Sequence, residues 1–215
     1  MEIKFLSYNE KYLPELIRTH KESFRDHFNS EMSDLYTKKF LEWFTVKNDF
    51  DSIFLIAVDS ETDSLIGYMC GALDGFYTEI TRHLVPYTIM TFLVKPYLLF
   101  NSKIKELIQP KLNALMGKTE YPQTKEFEKT IPHPIFSVTA FAINNKYREG
   151  GFGYFLLDRF FKEFFKEVNT RGGKTVRATV RSFNDEICNY YKFHKWIPAQ
   201  NQNHRSTLRF YKLVD

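Results

Sequence analysis

The sequence predicts a single α/β domain, and three observations support this prediction. Short apolar runs typical of buried strands alternate with longer segments whose apolar residues recur at helical spacing. Two strand-like runs between residues 53 and 70 are separated only by a short polar stretch, as in a β-hairpin. A glycine-rich turn at residues 144–154 joins another strand-like run to an amphipathic helix. A chain of 215 residues is long enough for one such domain with a substantial core.

The elements of the first third follow from the spacing of apolar residues. A short first strand is predicted over residues 3–8, and helices are predicted over residues 14–28 and 34–44. The compact apolar run at residues 53–58 is typical of a strand buried on both faces. Residues 65–70 resume the strand pattern, so these two runs are predicted to form an antiparallel hairpin.

Residues 76–131 depart from this alternation. Residues 85–100 are apolar and aromatic, and residues 102–116 carry an apolar stripe at helical spacing that Pro110 would break or kink. The segment is too long for an ordinary hairpin connection, so we predict a helical insertion in the domain of residues 1–215. Two roles are equally compatible with it: burying the edge of the sheet, or shaping a pocket for an acceptor molecule.

The second half predicts a strand–helix order that ends on a strand. A strand over residues 135–143 leads into the glycine-rich turn. The next helix alternates apolar pairs with charged pairs, which gives it one buried and one solvated side, and two glycines at positions 172 and 173 end it. A strand over residues 175–180, a short helix over residues 184–193 and a strand over residues 207–213 complete the chain.

Composition limits the classes of function. The formal net charge of +4 slightly favours anionic ligands but does not indicate nucleic acid, so no such partner is predicted. The two cysteines, Cys70 and Cys188, form no CxxC pair and are typical of buried free thiols in a reducing compartment. The six histidines lack the spacing of metal ligands, so no metal is predicted. Because the chain opens without a secretory signal, we expect a cytoplasmic protein.

The most apolar stretch, residues 84–100, does not match a membrane span. Pro86, Lys95 and Pro96 interrupt it, and it falls short of the ~20 apolar residues that a span requires. We therefore expect it to be buried or interfacial and predict no transmembrane segment. The alternative, a peripheral position on a membrane surface, would need an amphipathic basic helix.

The most informative stretch is Arg148-Glu149-Gly150-Gly151-Phe152-Gly153-Tyr154. Glycines at a strand-to-helix turn allow close approach of a ligand to the backbone, because no β-carbon obstructs it. The amino terminus of a helix adds unpaired N–H groups and a partial positive charge, which favour a phosphate. The phosphate loop of nucleotide hydrolases is absent, and the dinucleotide-binding motif lacks its third glycine. The pattern that remains is Arg148-x-x-Gly151-x-Gly153.

Residues 144–153 resemble the [QR]xxGx[GA] motif of the GNAT superfamily, the acyl-CoA-dependent N-acyltransferases. A second run, from Asn184 through Tyr191 to Trp196, is similar to the Asn-x-x-x-x-x-x-Tyr helix of this superfamily and its aromatic-ended turn. Lys195 departs from the pattern, because many members have a glycine at this position. The resemblance covers roughly residues 53–75 and 135–213.

The resemblance implies a GNAT-like mixed, mostly antiparallel central sheet flanked by helices, in which the fourth and fifth strands splay apart. The gap between these strands would hold the pantetheine arm of the co-substrate, acetyl-CoA or another acyl-CoA. By position in the motifs, the following residues would contact it: Phe141, Ile143, Arg148, Glu149, Gly151, Phe152, Gly153, Tyr154, Asn184 and Tyr191.

Two of these residues would also act in catalysis. The resemblance implies that the backbone amide of Phe141 stabilises the oxyanion and that Tyr191 protonates the departing thiolate. Some GNAT members use a glutamate on the fourth strand as the base, but Ser137 occupies the approximate position here, so the base is unassigned. Asp74 and Glu79 could reach the acceptor, although either is more typical of a solvated loop charge.

Together these expectations describe an N-acetyltransferase that moves an acetyl or other short acyl group from acyl-CoA to a primary amine by direct attack on the thioester. The acceptor is expected to be a small molecule, because the hydrophobic insertion would close the pocket. Two alternatives stay open: a protein N-acetyltransferase with an open groove, and a non-catalytic GNAT fold that binds acyl-CoA or serves as a scaffold. A homodimer is compatible with the sequence.

Overall fold

A computed structural model describes residues 2–25, 28–46, 51–100, 104, 108, 126–148, 152–199 and 207–214. The strands in these ranges are β1 (Ile3–Ser7), β2 (Ile53–Asp59), β3 (Ser64–Leu73), β4 (Ile135–Ile143), β5 (Thr175–Arg181), β6 (Ile197–Pro198) and β7 (Thr207–Leu213). The α-helices are α1 (Leu13–Ser23), α2 (Phe28–Glu31), α3 (Asp34–Trp43), α4 (Phe76–Val94), α5 (Phe152–Thr170) and α6 (Asp185–Phe193). Short 3₁₀ turns cover Glu10–Tyr12, Pro96–Phe100 and Asn145–Tyr147.

The strands form one seven-stranded sheet in the order β1-β2-β3-β4-β5-β7-β6. All neighbours are antiparallel except β4 and β5, which are parallel. The predicted α/β class, the hairpin of β2 and β3, and the mixed, mostly antiparallel sheet are therefore confirmed. The two-residue strand β6 was not predicted, since so short a run carries no alternation to read.

The parallel pair β4 and β5 separates part-way along its length. Residues 135–138 of β4 pair with residues 175–178 of β5, and no later residue of β4 pairs with β5. Within the described ranges, β4 beyond this point pairs only with β3, and β5 pairs only with β7. The predicted splay of the fourth and fifth strands is present, and we call the resulting gap the fork.

Strand β4 carries a bulge at the base of the fork. Cys70 of β3 lies opposite Ala140, but the next residue, Gly71, lies opposite Val138. Thr139 is therefore one extra residue on β4. A bulge of this kind reverses the alternation of the strand, so every backbone group beyond it points to the side opposite to that expected without it.

The sheet has a hydrophobic core on each face. Helices α1, α3 and α4 cover the first face, where Leu16 and Phe40 are among the buried helical residues. Helices α5 and α6 cover the second face, and the aromatic pattern of α5 places Phe160, Phe161 and Phe164 in that core. Both faces of β4 are thus covered by helices.

The predicted insertion begins with α4, which continues through Pro86 rather than stopping there. Its first half packs on the first face through Phe76, Ile80 and Leu84. Residues 84–100 are buried in part: Leu84 and Leu98 are buried, whereas Leu93 is 77% exposed and Phe100 is 83% exposed. The predicted helix over residues 102–116 lies outside the described residues except at positions 104 and 108.

None of the described helices combines the length and the apolarity that crossing a bilayer requires. This includes α4, the most apolar of the segments considered from the sequence.

Candidate active site

The edge of β4 that borders the fork carries backbone groups without a strand partner. The carbonyl of Ile135 accepts from the amide of Asp74, beside β3, at 2.8 Å, so Ile135 points its backbone groups toward β3. The amide of Asn144 also points toward β3, donating to the carbonyl of Ile66 at 2.8 Å. Regular alternation over nine residues would give these two positions opposite directions, so the bulge must account for their agreement.

The bulge therefore decides which amides face the fork. Counting back from Asn144, the backbone groups of Ile143 and Phe141 point away from β3 and into the gap. The carbonyl of Ile143 fits this direction, since it accepts from the Arg148 side chain rather than from β3. The two amides predicted for the acyl carbonyl and the pantetheine chain thus lie on the open edge.

The side chains of these two residues belong to the second face. Ile143 is buried, and the ring of Phe141 packs edge-on against Phe160 of α5 with centroids 5.4 Å apart. Their backbone groups are exposed to the fork because their side chains are held in the core behind it. A ligand lying along this edge would meet amides in fixed positions.

The turn between β4 and α5 is only partly described, because Glu149 and Gly151 lie outside the described residues. The Arg148 side chain donates from Nε to the Ile143 carbonyl at 2.8 Å and from Nη2 to Ser23 Oγ at the end of α1. From the sequence, the Arg148 side chain was predicted to contact the phosphates of the co-substrate. In the structure the Arg148 guanidinium braces the end of β4 against α1, and burial lowers its pKa.

Helix α5 begins at the next predicted residues. Phe152 stacks on Phe155 at 5.5 Å, and Tyr154 stacks on Tyr190 of α6 at 6.0 Å. A β-carbon at Gly153 would have its nearest neighbours at 3.7 and 3.9 Å, which is ordinary van der Waals distance. Among the described residues, none comes close enough to require a glycine here. A methyl group here would lie in ordinary contact with the Arg148 carbonyl and the Ile143 side chain.

Helix α6 holds the other predicted residues. The Asn184 side chain caps the helix by accepting from the amide of Ile187 at 3.3 Å. The Tyr191 ring lies on the second face between Phe161, Trp196 and Phe210, and the residue is only 6% exposed.

Register places Tyr191 near the base of the fork. Its ring stacks on Phe210, which pairs with Ala178, and Ala178 pairs with Val138, the last residue of β4 bound to β5. Burial raises the pKa of Tyr191 above its usual value, so the phenol stays protonated at neutral pH. The neighbouring Tyr190 points elsewhere, because its hydroxyl donates to Asp158 on α5 at 2.5 Å.

The turn after α6 has a left-handed backbone at Lys195, the position where many GNAT members have glycine. Lys195 has a φ of 56°, in the left-handed region that favours glycine. The amide of Trp196 then returns to the carbonyl of Tyr191 at 2.9 Å. Lysine thus occupies a glycine conformation, at a cost of order 1 kcal/mol or more.

The three residues considered as the general base, or in its place, have different surroundings. Ser137 is buried, and its Oγ has no hydrogen-bond partner in the part of the chain that the structure describes. Asp74 is not a freely solvated charge, because it pairs with the buried Arg177. Glu79 is a surface charge on α4, paired with Arg82 at 2.6 Å.

A buried polar cluster on the first face was missed by sequence reasoning. The Glu128 carboxylate lies among Arg177, Arg209 and Tyr211, at 2.7, 3.3 and 2.6 Å. Burial would raise the pKa of Glu128, but the Arg177 cation and the hydrogen bonds outweigh it and the pKa is lowered. The only signal in the sequence was a single arginine within an otherwise β-like run at residues 175–180.

Groups of three or more histidine, cysteine or acidic side chains that could hold a metal ion are absent from the described residues. The two cysteines, Cys70 and Cys188, are both buried and unpaired. Burial raises the pKa of the Cys188 thiol, so it stays protonated.

Solved acetyltransferases share this architecture. Arabidopsis thaliana NAA60 in complex with a bisubstrate analogue matches with a TM-score of 0.55 at 14% identity, over 100% of this chain and 99% of that chain. The PaiA N-acetyltransferase of Thermoplasma acidophilum in complex with coenzyme A gives 0.56 at 14% identity, over 99% of both chains. A GNAT-family acetyltransferase of Staphylococcus aureus gives 0.54 at 10% identity, over 100% of both chains.

No family profile matches the sequence, and no curated protein matches it. The similarity to these enzymes therefore lies in the path of the backbone, since their sequences are only 10–14% identical to this chain. The parallel β4 and β5 pair, the fork and the helix that follows it give this chain the fold of the GNAT acetyltransferases.

Proposed function

We propose that this protein binds acetyl-CoA in the fork and transfers its acetyl group to a primary amine. The observation that carries the proposal is the open edge of β4, where two amides face a gap that ends at the amino terminus of α5. An extended chain with amide groups, such as pantetheine, can pair with such an edge as an additional strand would. The diphosphate would then reach the N–H groups at the start of α5.

The residues around the turn have separate roles in this proposal. Because Gly153 has no β-carbon, the diphosphate would approach the backbone there, and the helix terminus would supply about 0.3–1 kcal/mol per charge when exposed. Glu149 and Gly151 would contribute through their amides. Arg148 holds the end of β4 in place and would act on the phosphates only through N–H groups not engaged by Ile143 and Ser23. Asn184 keeps α6 capped beside the site.

The chemistry is direct acyl transfer. The neutral amine attacks the thioester carbonyl carbon, and the resulting oxyanion accepts from the amide of Phe141, a donor worth roughly 3 kcal/mol in comparable sites. The carbon–sulfur bond then breaks, and Tyr191 donates its proton to the leaving thiolate. The amine nitrogen loses its extra proton to solvent, and the Tyr191 phenolate then takes a proton from solvent.

The amine would approach from the first face. On the second face, α5 and α6 close the base of the fork with the rings of Phe160, Phe161 and Tyr191. On the first face, Thr179 of β5 is exposed just beyond the last pair of β4 and β5. We infer a small-molecule amine as the acceptor, since α4, the first part of the insertion, packs on the first face.

A protein or peptide amine is the second candidate. The structural similarity to NAA60, which was solved with a bisubstrate analogue, supports this candidate. We place the protein in the cytoplasm, where its two buried, unpaired cysteines would stay reduced. We treat residues 1–215 as one domain with an insertion, able to act as a monomer or a homodimer.

Calorimetry with acetyl-CoA tests the binding step, and release of free CoA tests turnover. The amine panel consists of putrescine, tyramine, glucosamine, alanine and a tetrapeptide with a free amino terminus. We expect acetyl-CoA to bind without an amine, and CoA release to rise with one class of amine. Binding without release across the panel would favour the non-catalytic alternative. The absence of any heat with acetyl-CoA would contradict the proposal.

A further inference from the structure

Residues 126–130 return from the insertion to β4 across the first face, and one side chain fixes them there. The Glu128 carboxylate accepts from Arg177 Nη1 at 2.7 Å and from the Tyr211 hydroxyl at 2.6 Å. The side chains of Glu128 and Arg177 are each only 9% exposed. The Phe127 ring adds a contact to the Tyr211 ring at 5.2 Å.

Strand register places this anchor directly below the fork. Arg177 pairs with Ser137 on one side and with Tyr211 on the other. The pair of Ser137 and Arg177 is the last but one before β4 and β5 separate. Since Val176 and Ala178 face the second core, Arg177 points to the first face, from which the amine would approach.

The anchor also spans both sides of the fork. Arg177 donates to Asp74 at the end of β3, and Asp74 continues directly into the turn that starts α4. The chain of contacts from Asp74 through Arg177 to Glu128 therefore ties the first and last described parts of the insertion to the same point. Buried pairs of this kind are strongly coupled, because losing one partner leaves the other charged and unsatisfied.

We propose that Glu128 is a positioning residue for the acceptor amine, holding residues 126–130 against β5 and β7 as one wall of the amine site. This inference rests on the proposed function. Glu128 does not touch the thioester; it sets the wall through Arg177 and Tyr211. A wall displaced by about 1 Å would cost up to about 100-fold in reactions that depend on orientation.

Two variants test the proposal, Glu128→Gln and Tyr211→Phe. Glu128→Gln keeps the volume but removes the charge that compensates Arg177, and Tyr211→Phe keeps the Phe127 contact but removes the hydroxyl. The matched control is Glu163→Gln, because Glu163 pairs with Lys166 at 2.8 Å on the exposed side of α5. For each, kinetics use the panel amine with the highest turnover, and calorimetry measures acetyl-CoA binding alone.

We expect both test variants to raise KM for the amine about tenfold or more while acetyl-CoA affinity stays at the wild-type value. Because both act through one anchor, the double variant should lose less than the sum of the single losses. Glu163→Gln should match the wild type. An unchanged amine KM in whichever test variant folds, or a parallel loss of acetyl-CoA affinity, would overturn the inference. Wild-type protein that binds no acetyl-CoA would overturn the proposed function as well, which separates the two failures.

Discussion

Lys195 is the residue that departs most clearly from its local structural preference. Its backbone is left-handed, with a φ of 56°, and it follows α6 at a position where many GNAT members have glycine. A side chain in this region is strained by contact between its β-carbon and the backbone. The turn survives because the amide of Trp196 binds the carbonyl of Tyr191 and the Trp196 ring is held between Phe161 and Tyr191.

Replacing Lys195 by glycine should therefore stabilise the protein. Strain of order 1–3 kcal/mol would be relieved against about 0.5–1 kcal/mol of added backbone entropy, leaving a gain of about 1 kcal/mol. Urea denaturation followed by circular dichroism measures it. Lys195→Ala is the control, since it removes the charge and keeps the strain, and it should show no gain. Equal stability of the glycine and alanine variants would mean that the strain is absent.

Tyr191 is the residue proposed to protonate the leaving thiolate. Tyr191→Phe should lower kcat by about 100-fold or more, because a general acid contributes on the order of 10²–10⁴. Acetyl-CoA affinity should change little, since the ring keeps its place against Phe210 and Trp196. Steady-state kinetics with calorimetry separate the two quantities. Full turnover in the phenylalanine variant would remove the assignment of Tyr191 as the acid.

The pH profile gives an independent check of Tyr191. Its pKa is raised above the ordinary 10.0 by burial, so it keeps its proton to higher pH than a free tyrosine does. Loss of that proton should therefore not reduce kcat between about pH 7 and pH 9. A descending limb in this range that disappears in Tyr191→Phe would contradict the raised pKa.

At the start of α5, packing against the described residues does not require Gly153 to be a glycine. Glycine inside a helix usually destabilises it by roughly 0.5–1 kcal/mol relative to alanine. Among the described residues, no atom lies closer than 3.7 Å to a β-carbon at Gly153. The protein alone would thus accept alanine. A ligand that approaches the backbone here would not, because the methyl group would occupy its space.

Gly153→Ala should accordingly keep or raise thermal stability without ligand and weaken acetyl-CoA binding. Gly153→Asp should weaken it much further, since a carboxylate at the helix terminus repels the diphosphate. Thermal scans with and without acetyl-CoA compare the two variants with wild type. Undiminished stabilisation of Gly153→Asp by acetyl-CoA would refute the placement of the diphosphate.

The bulge in β4 decides which backbone amides of this strand face the fork. One extra residue, Thr139, reverses the direction of every backbone group after it. Without that reversal, Phe141 and Ile143 would point their amides at β3, and the fork would be lined by the groups of Ala140 and Ala142 instead. The proposed oxyanion donor therefore depends on a residue that would touch neither substrate.

At the scale of the whole molecule, the proposed ligand joins elements from both sides of the fork. Acetyl-CoA would contact β4, α5 and α6, so unfolding any of them would release it. At about 100 times Kd, such binding should add about 2.7 kcal/mol and raise Tm by about 5–10 °C for a domain of this size. Differential scanning fluorimetry measures the shift. CoA should give a similar shift, whereas ATP at the same concentration is the control and should give little.

Much of this architecture is encoded locally. The run at residues 53–70 predicted the hairpin, because both strands and their polar loop are contiguous in the chain. The aromatic stripe of α5 predicted its buried side for the same reason, and Asn184 predicted a helix cap through its own side chain. The extension of α4 through Pro86 was not predicted, since proline usually breaks a helix interior.

The sequence by itself determined most of the strands and helices, including the helix after the glycine-rich turn, and which residues, Tyr191 among them, are candidates for the site. Tertiary structure alone decided which amides of β4 face the fork, because that depends on the register between β3 and β4. It also decided that Arg148 braces α1 and that Glu128 meets Arg177, contacts between residues 125 and 49 positions apart. Periodicity describes neighbours along the chain, whereas these contacts exist only once distant segments have packed together.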